Sequence, residues 1–90
     1  MPPPLFAPLR FLENEIFAKV DLGPDGKPRL TFDRKHAPDR IRQAQAIAKR
    51  FDRLLALQLA HGRASVQKLL AQGKIELRGG RYVVPKDSPS

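Results

Sequence analysis

The chain has 90 residues, of which 41% are hydrophobic, enough for one small folded domain with a limited core. It contains no cysteine, which excludes disulfides, thiolate metal sites and a cysteine nucleophile. Its formal net charge is +8, and a charge of that size suits a protein that binds a polyanion.

The positive charge is concentrated in the second part of the chain. Positions 1–33 contain four basic and five acidic residues, whereas positions 34–86 contain thirteen basic and three acidic ones. Such clustering is typical of nucleic-acid-binding proteins.

No apolar run reaches the ~18 residues of a membrane-spanning helix, and the proline-rich start lacks the features of a secretory signal. We therefore expect a cytoplasmic protein that does not bind membranes.

The N-terminal third predicts a tail followed by a β-hairpin. Residues 1–8, MPPPLFAP, contain four prolines and are expected to lack regular structure, although Leu5 and Phe6 can pack against the domain. Apolar residues then alternate as in a strand, and the sequence GPDGKP is typical of a turn. We expect strands near residues 15–22 and 29–33, preceded by one helical turn. An amphipathic helix is the alternative for the first of these segments.

Residues 38–60 predict one long helix. Pro38 and Asp39 suit its first turn, and apolar residues recur on one side of it. Its last two turns, Leu54–Ala60, are apolar nearly all round, which indicates either burial or an interface with a protein partner or a second copy. The opposite, polar side could follow a phosphate backbone, and is equally typical of a solvated helix face. That side carries Arg42, Gln45, Lys49 and Arg53.

A short second helix is predicted over residues 64–72. His61-Gly62 is expected to end the long helix, because glycine adopts the left-handed conformation that closes helices. Gly73 ends the short helix in the same way, and Lys74 follows it. The polar residues near the start of the short helix are Arg63, Gln67 and Lys68.

Gly79-Gly80 predicts a two-residue hairpin loop with positive φ at both positions. The resulting register places Arg78 opposite Arg81 on the outer face, where like charges cost from a few tenths to ~1 kcal/mol. A phosphate bound between the two side chains would offset that cost. The inner, core-facing side would consist of Ile75, Leu77, Tyr82 and Val84. The tail at 86–90 is expected to be disordered.

The sequence contains no recognisable catalytic constellation, so we expect no enzyme and no cofactor. His36 and His61 are far apart in the sequence and have no neighbours at metal-ligand spacing. Asp33, His36 and Asp39 recur every three residues, but such residues at the start of a helix usually cap the helix and contact solvent. We therefore predict no metal site.

Three segments of the basic part carry a family resemblance. Residues 50–55 are RFDRLL, residues 62–70 are GRASVQKLL, and residues 73–77 are GKIEL, followed by Arg78-Gly79. In order and spacing they resemble the S-four RNA-binding domain, which has an Arg-Leu-Asp opening, a Ser-Arg-Ser corner and a Val-Asn-Gly turn. Gly62 replaces the first serine of that corner, and Arg78 replaces the asparagine of that turn.

The resemblance implies two helices packed on a small antiparallel sheet. Arg63, Lys68, Lys74 and the hairpin tip would form a surface that recognises structured RNA by its backbone and shape. The N-terminal hairpin would supply strands that complete the sheet.

Two other functions remain open. A short helix followed by a basic hairpin also resembles the recognition helix and wing of winged-helix DNA-binding proteins involved in transcription or replication. In that arrangement Gln67 and Lys68 would approach base edges, but two helices are predicted before the wing where that family has three. The third hypothesis is a small adaptor that binds a protein through Leu54–Ala60.

We therefore predict a small single α+β domain over residues 9–85, with an N-terminal β-hairpin, a long helix, a short helix and a C-terminal β-hairpin around one core. The predicted function is non-catalytic nucleic-acid binding, with RNA favoured over DNA. The expected contact residues are Arg63, Gln67, Lys68, Lys74, Arg78 and Arg81, supported by Arg42, Lys49 and Arg53.

Overall fold

The computed structural model describes residues 6–85 and has the predicted α+β class and order of elements. The described part is flat, with principal extents of 42 × 37 × 18 Å. None of its helices is long and apolar enough to cross a membrane. Its helices and strands are α1 (Pro8–Asn14), β1 (Lys19–Leu22), β2 (Pro28–Thr31), α2 (Pro38–Arg50), α3 (Asp52–Ala60), α4 (Val66–Ala71), β3 (Glu76–Arg78) and β4 (Arg81–Val83).

The N-terminal hairpin is present but shorter than predicted. Its first strand begins at Lys19, because α1 is followed by a turn in which Phe17 has a φ of 62°. Ile16 and Ala18 on either side of Phe17 are buried, so the apolar alternation is real although the strand starts later. β1 pairs with β2, and β3 pairs with β4, in two separate two-stranded sheets. The expectation that the N-terminal strands complete the C-terminal sheet is therefore wrong.

The predicted long helix is broken at Phe51, so the prediction of one helix over 38–60 is wrong. Phe51 has φ −115° and ψ 29°, outside the helical range, and separates α2 from α3. Its ring packs against both hydrophobic clusters of the molecule. The break divides the polar side of the predicted helix between two helices: Arg42, Gln45 and Lys49 lie on α2, while Arg53 lies on α3.

Two hydrophobic clusters replace the predicted single core. The first joins α1, β1, α2 and α3, and the second joins α3 and α4 to the base of the C-terminal hairpin. Adjacent residues of α3 belong to different clusters: Leu55 is buried in the first cluster and Leu54 in the second. This explains why Leu54–Ala60 is apolar nearly all round: the helix lies between two apolar surfaces of its own chain. Leu54 and Leu55 are buried, as the first alternative predicted, whereas Leu57 and Leu59 are only partly buried.

The C-terminal hairpin has the predicted register. Leu77 pairs with Tyr82 and Arg78 pairs with Arg81. Ile75 is buried as predicted, but Leu77 is 52% exposed, so its assignment to the core is wrong. The hairpin projects beyond the second cluster, and its base is the part that packs.

His36 connects the entry of α2 to the turn after α1. Its side chain is 9% exposed, and its Nε2 donates a hydrogen bond to the carbonyl of Ile16 at 2.7 Å. Its Nδ1 lies 3.0 Å from a carboxylate oxygen of Asp33 and can donate to it when the ring is protonated. The Ile16 hydrogen bond and then the charge of Asp33 raise the pKa of His36, against an opposing effect of burial.

We predict that the protein loses stability as the pH rises from about 6 to 8. Because the pKa of His36 is raised in the folded state, the protonated ring stabilises the fold. That contribution is complete below the ordinary histidine pKa of about 6.5 and disappears as the pH passes the raised value. Urea denaturation at both pH values measures the loss. The difference in the free energy of unfolding between the two pH values should be smaller in His36→Gln. It should remain in the control His61→Gln, where the histidine is exposed. Equal stability of the unmutated protein at both pH values would contradict a stabilising role of protonated His36.

Candidate nucleic-acid interface

The tip of the C-terminal hairpin presents two arginines side by side. Gly79 and Gly80 have φ values of 54° and 75°, which fit the primed turn that a two-residue loop requires. Arg78 and Arg81 therefore face each other across the strand pair. Arg78 also forms a salt bridge with Glu76 on the same strand, at 2.9 Å. That carboxylate reduces the repulsion between the two guanidinium groups without covering them, since both arginines are exposed.

A groove lies beside the hairpin tip and brings the hairpin together with the end of α2. Its volume is about 360 Å³. Arg50 comes from the last turn of α2 and Arg81 from the start of β4. We call this the arginine–aromatic groove; its lining residues are Phe6, Arg50, Phe51, Gly80, Arg81 and Tyr82.

Aromatic rings form one wall of the arginine–aromatic groove. The ring centroid of Phe6 lies 5.3 Å from that of Phe11 and 5.5 Å from that of Phe51, both within the range of favourable aromatic pairs. The guanidinium carbon of Arg50 lies 5.8 Å from the Phe51 ring centroid, a cation–π distance. Phe6 thus packs against the domain as the sequence predicted, while Leu5 lies outside the described residues.

Sequence reasoning missed Arg50 and the aromatic residues of this groove. Arg50 directly precedes Phe51, and an arginine beside an aromatic residue at the end of a basic helix is a signal that could have been noticed. The role of Phe6 and Tyr82 is harder to foresee, because these residues are 76 positions apart in the printed sequence. Only the folded chain brings them to the same groove.

Arg63, predicted to contact RNA, points towards the N-terminal half of the molecule. Its backbone has a φ of 62°, an uncommon conformation for a residue with a side chain. Its guanidinium donates to the carbonyl of Val20 at 3.3 Å and forms a salt bridge with Glu13. The side chain is 46% exposed, so an RNA contact is not blocked, but its charge is already paired.

The other predicted contact residues are exposed or partly exposed and lie outside the arginine–aromatic groove. Gln67 and Lys68 are on the first turns of α4, whose start is capped by the Ser65 hydroxyl accepting from the Lys68 amide at 3.1 Å. Lys74 is half-buried beyond the end of α4. On α2, Arg42 forms a salt bridge with Asp39. Lys49 on α2 and Arg53 on α3 are exposed.

The arginine–aromatic groove combines cationic groups, which can bind anions, with aromatic rings, on which planar groups can stack. Within residues 6–85, neither Arg50 nor Arg81 has an acidic side chain within salt-bridge distance. Over the same range, no cluster of three or more His, Cys, Asp or Glu residues could hold a metal ion. The groups that converge at the arginine–aromatic groove are two guanidinium groups and aromatic rings.

Comparison with protein-family models, curated proteins and solved structures finds no match to this chain.

We predict that the hairpin tip tolerates asparagine but not alanine at position 79. Alanine at a φ of 54° has a steric penalty of about 1 kcal/mol, whereas Asn-Gly is a favoured primed turn. Gly79→Ala should therefore accelerate amide hydrogen exchange of Arg78 and Arg81, while Gly79→Asn should leave it unchanged. Equal exchange in the two variants would contradict the assigned turn.

We predict that Arg63 and Glu13 stabilise the contact between the two halves of the molecule. Because the pair is partly exposed, Arg63→Ala should lower the free energy of unfolding by about 1 kcal/mol. A double-mutant cycle with Glu13→Gln, measured by urea denaturation, should show a favourable coupling energy that decreases with salt. Arg53→Ala, on the exposed surface of α3, serves as the control. Additive effects of the two substitutions would exclude the ion pair as a stabilising contact.

Proposed function

We propose that this protein binds nucleic acid without catalysis, and that it contacts structured RNA through the C-terminal hairpin tip and the arginine–aromatic groove. The observation that carries the proposal is the convergence of cations: Arg78 and Arg81 face each other across the tip, and Arg81 lines the same groove as Arg50. Phosphate groups are natural partners for such an arrangement, since guanidinium groups bind phosphate oxygens through paired hydrogen bonds.

Two observations support RNA as the ligand. The succession of α3, the corner at Gly62-Arg63, α4 and the β3–β4 hairpin follows the order implied by the S-four resemblance. The aromatic wall of the groove suits unstacked bases, which are common in the loops and bulges of folded RNA. We propose the cytoplasm as the location, because structured RNA is abundant there.

One observation favours DNA as the second candidate ligand. The break at Phe51 gives three consecutive helices, α2, α3 and α4, between the N-terminal and C-terminal hairpins, and the winged-helix arrangement requires three helices before its wing. In this arrangement Gln67 and Lys68 of α4 would approach the bases and the hairpin tip would contact the backbone. The two candidates therefore share the hairpin tip and differ in the use of α4.

The experiment is a salt titration of binding to matched duplex DNA, duplex RNA and an RNA hairpin with an unpaired loop. Arg78→Ala combined with Arg81→Ala should weaken binding to every ligand and reduce the slope of log K against log salt concentration by about two, because about one counterion is released per phosphate contact. The control is Lys19→Ala combined with Lys27→Ala, which removes the same charge from the N-terminal hairpin.

Each outcome has a distinct meaning. Preference for the RNA hairpin supports the proposal, whereas preference for duplex DNA supports the second candidate. An equal loss of affinity in the double variant and in its control would show that net charge, rather than the hairpin tip, determines binding. If no ligand binds even at low salt, nucleic-acid binding is excluded, and a protein partner at the partly covered residues of Leu54–Ala60 becomes the hypothesis to test.

A further inference from the structure

The geometry points to the arginine–aromatic groove as a binding site for an unpaired nucleobase, with the flanking phosphates held by Arg50 and Arg81. This inference rests on the proposed function and adds a specific element to it. It predicts that the protein distinguishes an unpaired nucleotide of a nucleic-acid chain from a fully paired duplex.

The first argument is the exposure of Phe6. This ring lies against Phe11 and Phe51, yet it remains 42% exposed and lines the groove. An aromatic ring that is held in place by its neighbours and still accessible is a suitable stacking surface for a base, because every base has a π-face. A groove of about 360 Å³ also lies within the range of about 300–1,000 Å³ that small-ligand sites occupy.

The second argument is the position of the two arginines. Arg50 and Arg81 come from different elements and both line the groove that contains the aromatic wall. A nucleotide joins a planar apolar base to an anionic phosphate, so a site for it needs both an aromatic surface and an adjacent cation. Tyr82 adds a second ring and a phenolic hydroxyl, which can donate or accept a hydrogen bond.

The third argument separates an unpaired base from a base in a duplex. A base within a duplex is stacked on both faces and must leave the helix to enter a protein groove, which costs a few kcal/mol. Bases in loops, bulges and single strands are already accessible. The groove therefore favours single-stranded segments, while the hairpin tip can contact phosphates in either form. Two cations at an aromatic groove also favour this anionic ligand over an apolar segment of a protein.

The chain contains no tryptophan, so a tryptophan introduced at position 6 is a unique fluorescent reporter. We expect Phe6→Trp to bind an RNA hairpin with an unpaired purine loop as tightly as the unmutated protein, because it keeps an aromatic surface. Its fluorescence should be quenched by that RNA and by a single-stranded oligonucleotide, but not by a fully paired RNA duplex of equal length.

Phe6→Ala should weaken binding to the loop RNA by about 5- to 150-fold, the loss expected for one stacked base, and should leave binding to the paired duplex unchanged. The slope of affinity against salt should stay the same, since no charge is removed. Phe6→Leu should bind no better than Phe6→Ala, because a side chain without a ring cannot stack. The matched control is Phe17→Ala, since Phe17 is 75% exposed and lies outside the groove.

The results separate this inference from the proposed function. If the protein binds RNA with the expected salt dependence but Phe6→Ala binds loop and duplex as the unmutated protein does, the base-binding groove is excluded and the proposed function stands. Full recovery in Phe6→Leu would also exclude it, since it would assign to Phe6 an apolar packing role. If no oligonucleotide binds the unmutated protein, both are excluded.

Discussion

The packing of Phe51 against two hydrophobic clusters is the contact on which the rest of the structure depends. Its backbone leaves the helical range between α2 and α3, and in the helix that follows, Leu54 and Leu55 are buried in different clusters. The same ring supports Phe6 and Arg50 at the wall of the groove. One residue therefore connects the fold of the domain to the geometry of its candidate interface.

Three arginines of the described chain lie in two different kinds of surroundings. Arg63 has an uncommon backbone conformation, with a φ of 62°, and its side chain is paired with Glu13 and the Val20 carbonyl. Arg50 and Arg81 instead border an aromatic groove. A count of basic residues treats these positions alike, whereas their contacts differ: the charge of Arg63 is paired within the molecule, and Arg50 and Arg81 border the groove.

What the sequence could predict was mostly local. The Gly79-Gly80 loop determined the pairing of Arg78 with Arg81, and Gly62 marked the end of α3, because positive φ is a property of single residues and their turns. The break at Phe51 could not be read from the pattern, since apolar spacing continues through it, and the packing of Phe51 against two clusters is visible only in the folded chain. The inward direction of Arg63 depends on Glu13, fifty positions earlier in the sequence. The exposure of Leu77 likewise depends on how far the hairpin projects beyond its cluster.

Charged side chains on the β3–β4 hairpin also have an explanation that involves no ligand. Both strands of a two-stranded sheet are edges, and charges on edge strands prevent pairing with other chains. Arg78, Arg81 and Glu76 could fulfil this role at a cost of at most ~1 kcal/mol from like-charge repulsion. Edge protection concerns the charges of the hairpin only, whereas the groove also brings the partly exposed ring of Phe6 beside Arg81. The combination of cations with a partly exposed aromatic wall is the feature on which the proposed nucleic-acid site rests, because anionic, planar groups are the ligand chemistry that fits both parts of it.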